Sequence, residues 1–157
     1  MTTLQQQHAS LWERYIRQEC HALKKADRAL VDKNWEAPRI PGKKIPREKS
    51  KPDFSGVIKG GRHIVFEAKA TLNKTSFPFS QISKGQEEHL EAAKAMGAVA
   101  FIYVLDGNRD KWVIPWITIQ AFRLDRESFP LNPQSPLKKE IGETWLDTLS
   151  RTMGDEL

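Results

Sequence analysis

A chain of 157 residues carrying 25 Lys and Arg against 20 Asp and Glu has a formal charge of +5, and its length suits one domain rather than several. With 39% hydrophobic and 29% charged residues it is too apolar for a disordered chain. One cysteine, Cys20, excludes a disulfide framework and a cysteine-rich zinc module, the N-terminal stretch lacks the pattern of a signal peptide, and the longest apolar run, near residues 98–105, is too short to span a bilayer. A cytoplasmic location without a membrane is therefore expected. The charge is unevenly placed. Residues 39–51 hold six basic side chains (Arg39, Lys43, Lys44, Arg47, Lys49 and Lys51) against Glu48, whereas residues 140–157 hold five acids against Arg151.

From Leu4 to Val31 no proline or glycine intervenes, and Leu4, Leu11, Tyr15, Leu23, Ala26 and Leu30 recur mostly at helical spacing. This reads as one long helix or two short ones, with Ser10 and Glu13 forming a capping-box pattern for an inner start. Pro38, Pro41, Gly42 and Pro46 then break regular structure, so the basic stretch reads as a loop or extended arm over about 36–51. Next come two short runs rich in β-branched and aromatic residues, FSGVI and HIVFEAK, around the polar connection KGGR; a hairpin is the simplest reading. Residues 83–96 have helical propensity, and Gly97 suits the C-terminal cap. The run AVAFIYVL is a buried strand, DGNRD a turn, and KWVIPW a second strand whose Pro115 argues for an edge or a strand end. Residues 123–136 look like loop, and the C-terminal part, about 137–153, looks helical, with LDTLSRTM amphipathic. The sum is a single mixed α/β domain with its catalytic core over about 52–116.

The chemistry concentrates in Pro52-Asp53 and, beyond thirteen intervening residues, Glu67-Ala68-Lys69. In a strand alternate side chains share a face, so Glu67 and Lys69 point together while Phe66 and Ala68 point into the core. If Asp53 lies on the partnered strand, Asp53 and Glu67 offer hard oxygen ligands to Mg²⁺, which favours one or two carboxylates plus waters and phosphate oxygens. An ion there polarises a phosphodiester, and Lys69 orients the attacking water or neutralises developing charge. The bland alternative is a solvated hairpin face with a weak Glu67–Lys69 pair. Against it, Glu67 follows Ile64-Val65-Phe66 in a strand that is otherwise core-like, where a charge needs a reason.

Residues 52–90 resemble the RecU family of Holliday junction resolvases, within the PD-(D/E)xK nuclease superfamily. The resemblance rests on Asp53, Gly56, Gly60, Phe66-Glu67-Ala68-Lys69, Thr71, Asn73-Lys74-Thr75-Ser76-Phe77-Pro78, Gln86 and His89. It implies a restriction-endonuclease-like α/β core, a mixed central sheet flanked by helices. It also implies a homodimeric, Mg²⁺-dependent endonuclease (with Mn²⁺ as a substitute) that nicks branched DNA in recombination or replication, without a nucleotide cofactor. By position, Asp53 and Glu67 correspond to the metal-binding carboxylates, Lys69 to the catalytic lysine, and Gln86 to a glutamine that sets water or phosphate geometry. Glu13 and Glu19 compete for the place of an additional acid supplied by the N-terminal helix, a gapless comparison favouring Glu13. Thr71, Asn73, Lys74, Thr75 and Ser76 fall on the segment that accommodates DNA, and His89 reads as packing or minor support.

One departure stands out. Family members carry a longer stalk before the catalytic aspartate, whereas only about twenty residues separate Lys33 from Asp53 here. That makes preference for four-way junctions less secure than nuclease chemistry, although Lys43, Lys44, Arg47, Lys49 and Lys51 are suited to binding phosphates in a salt-dependent way. The alternatives are a nuclease for flaps, ends or ordinary duplex, and a catalytically silent DNA-binding module. The compact size suggests a phage or prophage version. Of the five tryptophans, only Trp35, beside the basic arm, invites a test for base or sugar contact.

Overall fold

A computed structural model describes residues 2–35, 40–42 and 51–157. Most of the expected basic arm, with Arg39, Lys43, Lys44, Arg47 and Lys49, lies outside the described residues. The first element is one unbroken helix, α1 (Leu4–Lys25), rather than two. Its capping box is Thr3–Gln6: the Thr3 hydroxyl accepts from the Gln6 N–H and the Gln6 side chain accepts from the Thr3 N–H. Ser10 and Glu13 therefore lie inside the helix. α1 also ends six residues earlier than its periodicity suggests. Asp27 takes a left-handed φ of 53°, and the chain restarts as strand β1 (Ala29–Lys33). Ala29 and Val31 are buried while Leu30 and Asp32 are exposed, a period of two over too few residues to displace the helical pattern before it.

The expected hairpin forms from β2 (Phe54–Ile58) and β3 (His63–Ala70), antiparallel, with Phe54 opposite Phe66. A three-residue strand, β4 (Ser76–Pro78), leads to α2 (Lys84–Ala95), which Ser83 caps and Gly97 follows at φ 93°. Strand β5 (Val99–Leu105), buried at every position, pairs parallel with β3, so α2 is the crossover of a βαβ unit. β6 (Lys111–Pro115) pairs with β5 and is the far edge of the sheet, where Pro115 is tolerated. Trp116 does not continue that strand; it opens the short helix α3 (Trp116–Phe122). The expected loop at 123–136 contains β7 (Ser128–Pro130), paired with β4 in a small second sheet. Helix α4 (Trp145–Met153) begins later than the expected helical region, because residues 137–144 are irregular, with Lys138 bridged to Trp112.

The main sheet, in the order β1-β2-β3-β5-β6, has a core on each side. α1 and α4 bury Trp12, Ile16, Phe54, Phe66, Phe101 and Trp145 on one face. The face under α2 and α3 holds Val65, Leu90, Ile102, Ile114, Trp116 and Ile119. This is the α/β architecture expected from the sequence, a mixed sheet between helices. Among the described residues no helix is long and apolar enough to cross a membrane.

Two positions carry measurable consequences. A Cβ on Gly56 would stand 1.9 Å from the Leu30 carbonyl oxygen of β1. Gly56→Ala is therefore expected to lower stability by about 1–3 kcal/mol in urea denaturation, and an unchanged midpoint would refute that close approach. Glu19 is buried within the α1 face, where it accepts from the Tyr103 hydroxyl at 3.0 Å. Burial pushes its carboxyl up to about 7, against the opposing Tyr103 hydrogen bond and the Lys139 and Lys111 charges. The folded state then binds this proton more tightly than the unfolded chain, so the contribution is complete at low pH and declines as pH rises from about 4.5 to about 7. Glu19→Gln should remove that decline, a relative gain of roughly 2–3 kcal/mol at pH 8 over pH 4, in thermal melts across pH.

Candidate active site

Alternation along β3 sends Phe66 to the α1 face, where it stacks with Phe54 at 5.0 Å between ring centroids, and sends Glu67 to the α2 face. Glu67 is 0% exposed although it is an acid. Asp53 stands immediately before β2 and is fixed from two sides. Its Oδ2 accepts from the Ala68 N–H at 2.9 Å, and its carbonyl accepts from the Asn34 N–H at 2.8 Å. Sheet register thus places the two carboxylates side by side.

Gln86, in the first turn of α2, ties the rest together. Its Oε1 accepts from Lys69 Nζ at 2.9 Å and from the Ser83 N–H at 3.0 Å, while its Nε2 donates to Glu67 Oε2 at 3.3 Å. Ser83 Oγ completes the capping box by accepting from the Gln86 N–H. One side chain therefore anchors the helix start and spaces Glu67 from Lys69. Ser83 was not singled out in the sequence, although the Ser-x-x-Gln pattern preceding a helix was its signal.

Burial and the neighbouring Asp53 carboxylate push the Glu67 carboxyl far above the ordinary range, with Lys69 pulling the other way. Glu67 Oε1 is buried without a hydrogen-bond partner. An orphaned carboxylate oxygen beside a second carboxylate fits a hard divalent cation. Among the described residues no group of three or more His, Cys, Asp or Glu could hold a metal, so Asp53 and Glu67 would leave the other ligand positions to water and substrate oxygens.

The other expected site residues are distributed differently. Glu13 and Glu19 lie on α1, across the sheet from Glu67, and do not join the carboxylate pair. Glu13 binds Lys33 at 2.7 Å and Arg17 at 3.0 Å; partial burial opposes them, but those cations hold its carboxyl below the usual range. Glu19 is held by Tyr103. Thr71 is only 2% exposed and its hydroxyl accepts from the Asn73 N–H, so it shapes the turn after β3 and offers DNA no surface. Lys51, Asn73, Lys74 and Thr75 are exposed, Ser76 is half-buried at the start of β4, and His89 is half-buried on α2. The β5–β6 turn braces this segment. The Gly107 N–H donates to the Asn73 carbonyl, and the buried Asp106 carboxylate accepts from the Asn108 and Asp110 N–H groups and from Trp112 Nε1. Asp106 was not anticipated, since a lone Asp in a turn sequence gives no sign of its burial.

A family model described as Recombination protein U (RecU) matches residues 5–142. The chain belongs to the RecU family. The Holliday junction resolvase RecU of Bacillus subtilis (strain 168) is 41% identical over 58 residues, which is 37% of this chain and 28% of that protein. The RecU resolvase of Staphylococcus saprophyticus is 34% identical over 77 residues, 48% of this chain and 36% of that protein. The matched regions thus span about a third of the curated relatives' length. Hjc, a Holliday junction resolvase of Archaeoglobus fulgidus, superposes with a TM-score of 0.52 over 84% of this chain and 95% of its own at 20% identity, a likeness of fold.

Mg²⁺ should raise the melting temperature of the wild-type protein. Asp53→Asn removes the like charge beside Glu67 and is expected to raise the metal-free melting temperature by about 2–5 °C while abolishing the Mg²⁺ shift. A full Mg²⁺ shift in that variant would exclude Asp53 as a ligand.

Proposed function

We propose that this RecU-family protein is a metal-dependent endonuclease that resolves four-way or other branched DNA by paired phosphodiester hydrolysis. The observation that carries the reading is the buried Glu67, with one unpartnered oxygen, beside the half-buried Asp53 carboxylate and a lysine whose ammonium is positioned by Gln86. A binding module has no need of two mutually repelling carboxylates next to a phosphate. The names of the relatives support the choice of branched DNA as substrate.

Asp53 and Glu67 would hold Mg²⁺, or Mn²⁺ in its place. The chemistry such an ion supplies is polarisation of the phosphodiester and a lowered pKa for water. The chain's own groups do the rest. The Lys69 ammonium, kept at 2.9 Å from Gln86 Oε1, presents its remaining N–H donors to a phosphate oxygen or to the attacking water, stabilising the charge that builds on phosphorus. Gln86 keeps that ammonium from collapsing onto Glu67, because its own amide fills the space between them. Lys51, Lys74, Asn73 and Thr75 offer charge and hydrogen bonds to the flanking phosphates. The described residues act as one nuclease unit, and two copies related by a twofold axis provide the two sites that symmetric incision requires. A cytoplasmic place of action follows from the substrate.

Purified protein incubated with a four-way junction, a flap and linear duplex, in Mg²⁺, Mn²⁺ or chelator, tests this directly. Metal-dependent cutting of the junction, absent in Asp53→Asn, is expected. No cutting of any substrate would overturn the enzyme reading, and equal cutting of linear duplex would overturn the branched-DNA preference. Gln86→Ala should lower kcat by about 10–100-fold with DNA affinity little changed, because misplacement of Lys69 affects the transition state more than binding.

A further inference from the structure

Four of the five tryptophans, Trp12, Trp112, Trp116 and Trp145, are at most 2% exposed, whereas Trp35 is 76% exposed. It stands at the end of a groove of about 610 Å³ between α1 and the exit of β1, a volume in the range of small-ligand sites. Val31 and Phe54 close its floor, both buried, and most of the lining surface is polar. Along one wall Arg17, His21 and Lys24 follow one another at helical spacing, and Lys33 and Asn34 line the wall nearest Trp35. Asp32 is the acid in the lining. Glu13 already compensates Arg17 and Lys33, while Lys24 has no carboxylate within 4.0 Å among the described residues. Asn34 ties the groove to the backbone that carries Asp53: its N–H donates to the Asp53 carbonyl and its Nδ2 donates to the Pro52 carbonyl at 2.7 Å.

An exposed aromatic plate at the end of a polar groove walled by cations suits a base that has left its stack, with its phosphates on the charged wall. We propose that this groove receives an unstacked nucleotide of the DNA strand adjoining the scissile phosphate, its base against Trp35 and its phosphate against Lys24 and His21. This deepens the nuclease reading and rests on it. A groove of this kind selects DNA whose strands open near the cut, since a continuous duplex has no base to offer, and it provides a structural preference without a long stalk.

Trp35 is the solvent-accessible tryptophan, so iodide quenching of intrinsic fluorescence reports on it above the buried four. Wild-type protein in chelator, where no cleavage occurs, is titrated with a single-stranded oligonucleotide, a four-way junction and a fully paired duplex. Iodide accessibility should fall with the first two and stay unchanged with the duplex. Trp35→Ala should weaken single-strand binding by about tenfold, Trp35→Phe should retain most of it, and Lys24→Ala should reduce the slope of log affinity against log salt by about 1. Absence of single-strand binding, or binding that leaves iodide accessibility unchanged, overturns the proposal. Shielding that appears on concentrating the protein without DNA also overturns it and makes this face an interface between copies. Normal metal-dependent cutting with Trp35 unshielded would reject the groove alone, whereas shielding without cutting in Mg²⁺ would reject the nuclease reading alone.

Discussion

Asp53 and Glu67 repel each other at the open end of the β2–β3 hairpin, and the surrounding structure is organised to hold them there. A carboxylate in a buried strand is costly unless paired. The partners available are a single backbone N–H on Asp53 Oδ2, the Gln86 amide on one Glu67 oxygen, and the charge of Lys69. That set leaves one Glu67 oxygen without a partner, and burial beside Asp53 raises the Glu67 carboxyl far above the ordinary range. Phe54 and Phe66, stacked on the other face, fix the backbone from which both acids project. The conflict is local and the restraint comes from the whole sheet.

The two layers divide this work. The α1 side is a continuous aromatic and aliphatic core that buries Glu19 against Tyr103, with Glu13 paired to Lys33 and Arg17 at its margin, so neither acid joins the carboxylate pair. On the α2 side, helix capping and site assembly are the same set of hydrogen bonds. Shifting the start of α2 by one residue would remove Gln86 from both Glu67 and Lys69.

The hairpin, the crossover helix and the β5–β6 pair were legible because apolar runs of strand length and a Gly-terminated helical stretch leave little choice of type. The grouping of Asp53, Glu67 and Lys69 was legible from strand alternation. What escaped has identifiable causes. β1 is five residues long and follows a strong helical pattern, β4 and β7 are three residues each and exist only through pairing with one another, and α3 starts at a Trp that also suits a strand. Thr71 reads as a surface hydroxyl in the sequence, but its side chain turns back onto the Asn73 N–H and is buried. The acids on α1 could not be assigned from sequence, because which face of the sheet they occupy is a tertiary fact.

The parallel pairing of β3 with β5 places Ile102 opposite Glu67, and the chain reaches that arrangement only by way of α2. The fully buried Glu67 thus lies in a pairing between residues 35 positions apart in sequence. The repulsion within the hairpin works against that closure, and a cation bridging the acids works in its favour. Metal binding by these acids and closure of the β3–β5 pairing would then be one linked equilibrium. A chain that had made its hairpin but not its crossover would hold Asp53 and Glu67 together without enclosing them, so the paired acids become one site only when the sheet is whole.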